Sequence, residues 1–195
     1  MKKILLLLLL SLGFVGLVNA VTNDELLLLL KKAGLTYTKK CGPDPNMNTW
    51  NECIGQFEDR GGNFYFGDIN FGAPNGFGRL DLKNLGSFYV GEFKNGYPGG
   101  QGFMRSYDGY HSKQGEWKNA KLHGQGNEFH SIEDDFKYAY RGGYKDGKFH
   151  GQGQFFKKDK LVEGIFKEGK FQYPNNGYKS GNVWECNSGY TKYEE

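Results

Sequence analysis

The sequence predicts an all-β protein: an elongated, twisted single antiparallel sheet of stacked hairpins, with a short N-terminal helix ahead of it. Three observations carry that prediction. The first is a glycine pattern: Gly67, Gly72, Gly76 and Gly78 stand 5, 4 and 2 apart, and the spacing returns at Gly91, Gly96, Gly100 and Gly102 and at Gly142, Gly147, Gly151 and Gly153. The copy between, Gly115, Ala120, Gly124 and Gly126, keeps three of the four, and a fifth opens with Gly164 and Gly169 before Tyr173 takes the third place. The leading glycines are 24, 24, 27 and 22 residues apart, a period that marks a repeat architecture. The second is period-two alternation: Tyr89, Gly91 and Phe93 share one strand face, while Val90, Glu92 and Lys94 share the other. The third is turn chemistry: Asn95-Gly96, Asn119-Ala120, Asp146-Gly147 and Glu168-Gly169 each follow a lysine and close a hairpin.

Residues 1–20 lie outside the predicted fold. Lys2 and Lys3 precede an apolar run from Ile4 to Val18, and Val18, Asn19 and Ala20 supply the small residues of a cleavage site. The segment reads as a signal peptide, so the expected location is secreted or periplasmic; the rival is an uncleaved N-terminal membrane anchor. Without Lys2 and Lys3 the chain has 23 basic and 22 acidic residues, near +1, which argues against nucleic acid as a partner. Its 31 glycines in 195 residues are more than double the usual share of about 7%, with no collagen-like period.

Residues 21–52 form the predicted N-terminal cap. Thr22 to Glu25 is a capping box, and Leu26 to Lys32 ending at Gly34 continues it as a short helix over 23–33. The leucines suit packing on the first hairpin; the alternative lays the helix on a membrane surface with Lys31, Lys32, Lys39 and Lys40 near lipid phosphates. Cys41 and Cys53, twelve apart around a Gly42-Pro43 and Pro45 loop, are expected to form a disulfide that staples this cap to the array. Cys186 is left single, either half-buried or available for an intermolecular disulfide.

Residues 53–173 form the array. Each copy places a large side chain two before the lead glycine (Tyr65, Tyr89, Tyr140, with Lys113 and Val162 as exceptions) and another two after it (Ile69, Phe93, Trp117, Tyr144, Phe166). Glycine inside a strand is normally a cost, so its recurrence at one register calls for a steric reason. A ring from a neighbouring strand can lie across backbone that has no Cβ, and the rings then form a row along one face. A half copy, Cys53 to Phe57, precedes the first full one with Gly55 in register. In the tail, 174–195, Pro174, Asn175 and Asn176 disfavour further pairing, and Trp184, Cys186, Tyr190 and Tyr193 fold back as a C-terminal cap.

Tyr-x-Gly-x-aromatic-x-x-Gly followed by Gly-x-Gly, best kept at Tyr89 to Gly102 and Tyr140 to Gly153, resembles the MORN repeat (membrane occupation and recognition nexus). The resemblance covers residues 65–169 and departs at Lys113, Ala120 and Tyr173. It implies stacked antiparallel hairpins in one sheet, and an interaction module linked to proteins and sometimes to membranes. At about 4.8 Å per strand, ten to eleven strands span roughly 50 Å.

No catalytic set stands out. The Gly-x-Gly pairs open no helix and lack a following Lys-Ser/Thr, so they are not phosphate loops, and no nucleophile elbow is present. His123 and His150 occupy equivalent places and stand to approach one another, but the matching Asn75 and Gly99 give no third ligand. Glu133, Asp134 and Asp135 read as a solvated loop tip. The expectation is a non-catalytic exported binding or scaffold protein of the cell envelope, with no cofactor and no metal. Its partner is a protein or an envelope lipid or glycan, held by the aromatic groove of Tyr65, Tyr89, Phe93, Trp117, Tyr140, Tyr144 and Phe166. The alternatives are an antitoxin-like or immunity protein and an enzyme's accessory module; a dimer forms through Cys186 or an open sheet edge.

Overall fold

The computed structural model describes residues 36–37, 39–44, 46–132, 135–157 and 160–175, and the backbone alone of 177–180 and 183–186. The expected signal peptide, the helix over 23–33, Glu133, Asp134 and the side chain of Cys186 lie outside the described residues. Eleven strands form one antiparallel sheet in which every strand pairs with its neighbours in sequence. They are β1 (Cys53–Glu58), β2 (Phe64–Asn70), β3 (Ala73–Leu82), β4 (Ser87–Lys94), β5 (Tyr97–Ser106), β6 (His111–Lys118), β7 (Lys121–Ile132), β8 (Asp135–Lys145), β9 (Lys148–Lys157), β10 (Lys160–Lys167) and β11 (Lys170–Pro174). A separate two-stranded hairpin, β12 (Gly177–Ser180) and β13 (Val183–Cys186), follows.

Asp135 opens β8 rather than sitting in a loop, and its carboxylate meets Lys137. Asp135 pairs with Ile132 of β7.

The glycines stand in one row. Gly55 pairs with Gly67, Gly67 with Gly78, Gly78 with Gly91, and so on through Gly102, Gly115, Gly126, Gly142, Gly153 and Gly164, ten glycines across ten strands. The row ends where Gly164 meets Pro174, which has no N–H to offer a twelfth strand.

Between the turn and this row lies an irregularity at the same place in four copies. Phe93 faces Pro98, yet Gly91 faces Gly102, so β5 carries two residues more than β4 over that stretch. The pairs Ile69–Pro74 with Gly67–Gly78, Trp117–Leu122 with Gly115–Gly126, and Tyr144–Phe149 with Gly142–Gly153 repeat it. The third glycine sits in this bulge at positive φ: 121° at Gly76, 111° at Gly100, 103° at Gly124 and 76° at Gly151. The fifth copy has Tyr173 there and only one extra residue, since Phe166 faces Phe171 while Ile165 faces Tyr173.

The turns stack as well. Both central residues have positive φ, as in Asn95 (51°) and Gly96 (86°), the type I′ geometry that matches strand twist. Each turn then donates a backbone N–H to the preceding hairpin: Gly96 to Pro74 O, Ala120 to Pro98 O, Gly147 to Leu122 O and Gly169 to Phe149 O. For Gly72 the acceptor is Trp50 O, so the cap stands in for a hairpin.

The entrance edge is covered. Lys40 forms a parallel bridge with Ile54, with Cys41 N donating to Ile54 O and Ile54 N to Lys39 O. The Cys41–Cys53 disulfide is present, with Cα atoms 5.0 Å apart. Asp68, fully buried, accepts from the backbone N–H of Thr36, Tyr37 and Phe77, tying the same segment to β2 and β3.

Candidate functional site

The seven aromatic residues expected to face a ligand are buried. Tyr65, Tyr89, Phe93, Trp117, Tyr140, Tyr144 and Phe166 are between 0 and 6% exposed and form the main core. The expected aromatic groove is therefore corrected: these rings hold the sheet together and offer no surface. They cover the glycine row, as a Cβ on Gly78 would come 2.5 Å from the Tyr65 hydroxyl and 2.8 Å from its ring. The tyrosine hydroxyls donate to the bulge carbonyls, Tyr65 to Asp68 O, Tyr89 to Glu92 O and Tyr140 to Gly143 O. Edge-on contacts run from Tyr65 to Phe93, Tyr89 and Trp117 at 5.0–5.2 Å, then resume at Tyr144, Tyr140 and Phe166.

The gap in that row is polar. Lys113 stands where other copies have tyrosine, and Glu128 faces it across the strand pair. Glu128 is buried and accepts from His111 Nε2 (2.9 Å), Tyr138 (2.8 Å) and Tyr144 (3.4 Å), with Lys113 Nζ at 3.4 Å. Burial alone would raise its pKa, but the His111 hydrogen bond, the Lys113 charge and the Tyr138 hydroxyl outweigh it and hold the carboxyl down to about 2. Burial and the same carboxylate push the Tyr138 and Tyr144 hydroxyls well up. At neutral pH the cluster thus contains an ionised carboxylate, with His111, Lys113 and Tyr138 on Oε1 and Tyr144 on Oε2, and protonated tyrosines. These contacts clamp β6, β7 and β8 together through one carboxylate.

His123 Nδ1 faces Asp146 Oδ1 at 3.3 Å, while His150 Nδ1 is buried without a hydrogen-bond partner. Among the described residues no three histidine, cysteine or acidic side chains converge on a metal-sized space.

The second face of the sheet differs along its length. Near the entrance it is filled by Ile54, Phe66, Phe77 and Val90, with Tyr37, Phe64 and Phe88 against them. Over β5 to β9 nothing described covers it, and a shallow groove of about 270 Å³ lies there. Its lining includes Phe103, Phe129 and Phe156, with Gln114, Asn127 and Arg141 between. Gln114, Asn127, Arg141 and Gln154 pair in one row, and Phe129 and Phe156 flank Ala139 in another. Phe129 and Phe156 are 41% and 38% exposed. A search for rings near the glycines passes over them. Their odd offset from the glycine row is the signal that sets them on the opposite face.

Three segments, residues 89–109, 114–128 and 140–161, match the family model of the MORN repeat. No curated protein matches the chain. The turn, bulge and glycine register of those segments extend unchanged to the hairpin of β2 and β3.

Proposed function

The chain carries MORN repeats and is a repeat protein of binding or scaffold type, and from that premise we propose an exported envelope protein that holds a partner on the uncovered face of β5 to β9. The groove with its two outward rings carries this reading. Flat apolar rings beside the planar amides of Gln114 and Asn127 and the guanidinium of Arg141 suit a polymer that alternates apolar and hydroxyl-rich surface. A glycan chain has that chemistry.

The test is a glycan panel probed with the chain lacking residues 1–20, beside affinity purification from its native envelope. Phe129→Ala with Phe156→Ala should abolish capture of whichever glycan binds while leaving the melting curve near wild type, because both rings are partly exposed. Glycan capture that survives the double substitution, or a panel with no hit and a protein recovered instead, overturns the glycan reading.

A further inference from the structure

The turn edge of the ribbon concentrates positive charge. Lys118 pairs with Lys121, Lys145 with Lys148 and Lys167 with Lys170, each directly opposite across its hairpin. Lys94 begins the same line one hairpin earlier, opposite Tyr97. All seven are exposed. Like charges directly opposite destabilise a strand pair, so folding alone gives no reason for three such pairs in succession. Lysines do guard open strand edges, but this edge is made of closed turns with no strand to guard.

Neutralising groups are few. Of the tip residues only Asp146 and Glu168 are acidic, and they meet His123 and Lys148. The remaining six lysines form no ion pair among the described residues. The Glu116 carboxylate turns to the backbone N–H of Gln125 instead. The charge near +1 of residues 21–195 therefore averages over a strongly basic edge and a neutral to acidic remainder. Successive pairs are two strands apart, about 10 Å, so the line from Lys94 to Lys167 runs roughly 30 Å.

We propose that this edge is a docking rail for a linear polyanion, a polymer bearing carboxylate or phosphate groups at regular intervals. The charges lie in a line one hairpin wide, which matches a chain. Phe71 and Tyr97, exposed rings of this edge, stand at its β2 to β5 end; the tips of the three doubly charged hairpins, Asn119-Ala120, Asp146-Gly147 and Glu168-Gly169, put no large apolar side chain among the paired lysines and set two acids foremost. The rail is separate from the groove of β5 to β9 and does not depend on it.

The experiment measures binding of the chain lacking residues 1–20 to polygalacturonate and to polyphosphate, with neutral dextran and anionic phosphatidylglycerol vesicles as further arms. The expected result is retention on one or both polyanions, lost as salt rises, and none on dextran. Lys118→Gln, Lys145→Gln and Lys167→Gln together should weaken it roughly 100-fold at low salt. The control set Lys40→Gln, Lys83→Gln and Lys157→Gln, away from this edge, should leave it unchanged. The turn-edge variant should melt no lower than wild type, because each change relieves a like-charge pair. Polygalacturonate and polyphosphate distinguish carboxylate from phosphate recognition. An equal loss in the control set, failure of the wild type to bind either polymer at low salt, or binding to vesicles alone overturns the proposal.

Discussion

A hydrogen is the largest side chain the sheet admits at Gly91. A methyl group there would stand 2.5 Å from both Gly102 Cα and Gln101 O, and backbone of a central strand cannot yield. Gly91→Ala should cost more than about 3 kcal/mol, read as a large fall in the urea midpoint. The reverse change has the opposite sign at Ala120, the one of the five stacked turns without a glycine. Ala120 sits at φ 61°, where a Cβ is crowded, and nothing but habit of the repeat distinguishes it from Gly96 or Gly147. Ala120→Gly should therefore gain about 1 kcal/mol and raise the melting temperature by a few degrees. Strand parity, the turns and the ring-over-glycine contact were legible in the sequence because each is local. Exposure was not: residues two from a glycine look alike whether a neighbouring ring covers them or solvent does. Parity sets Phe129 on the face opposite Tyr89, but Phe66 and Phe77 share that face and are buried, so parity alone does not mark Phe129 as exposed.

At the scale of the hairpin, the bulge is the feature spacing alone concealed. Regular pairing outward from Asn95-Gly96 would set Gly91 opposite Gly100; the two extra residues of β5 move it to Gly102. Acids one place after the lead glycine mark the site, because Asp68, Glu92 and Glu116 side chains fill the space beside Gly76, Gly100 and Gly124. The third copy's hairpin also holds the Glu128 cluster, and its pH dependence follows from the depressed pKa. Glu128 titrates near 2 when folded and near 4.5 when unfolded, so its contribution is complete above about pH 4.5 and is lost as the pH falls through about 2. Acid titration of the melting temperature should show this loss, on the order of 2 kcal/mol. Glu128→Gln should flatten that part of the profile, and should lower stability at pH 7 by leaving Lys113 unpaired.

At the scale of the whole molecule, stability is local and the ends decide solubility. Each strand touches the next, so a copy is held by its two neighbours, and the first has only the segment around Cys41. Cys41→Ser with Cys53→Ser should cost about 3 kcal/mol by the chain-entropy argument and loosen the cover on β1. The exposed edge should then drive self-association, visible as a concentration-dependent rise in sedimentation coefficient, with the oxidised wild type unchanged.

The turn-to-turn hydrogen bonds from Gly72, Gly96, Ala120, Gly147 and Gly169 set one hairpin at a fixed phase on the last. Stretched between β1 and β11, the array has no clasp between distant hairpins among the described residues to break at once. It should unzip from an end in small steps of similar force, each paying out the contour length of a single hairpin, and recover by rewinding against whatever part is still intact.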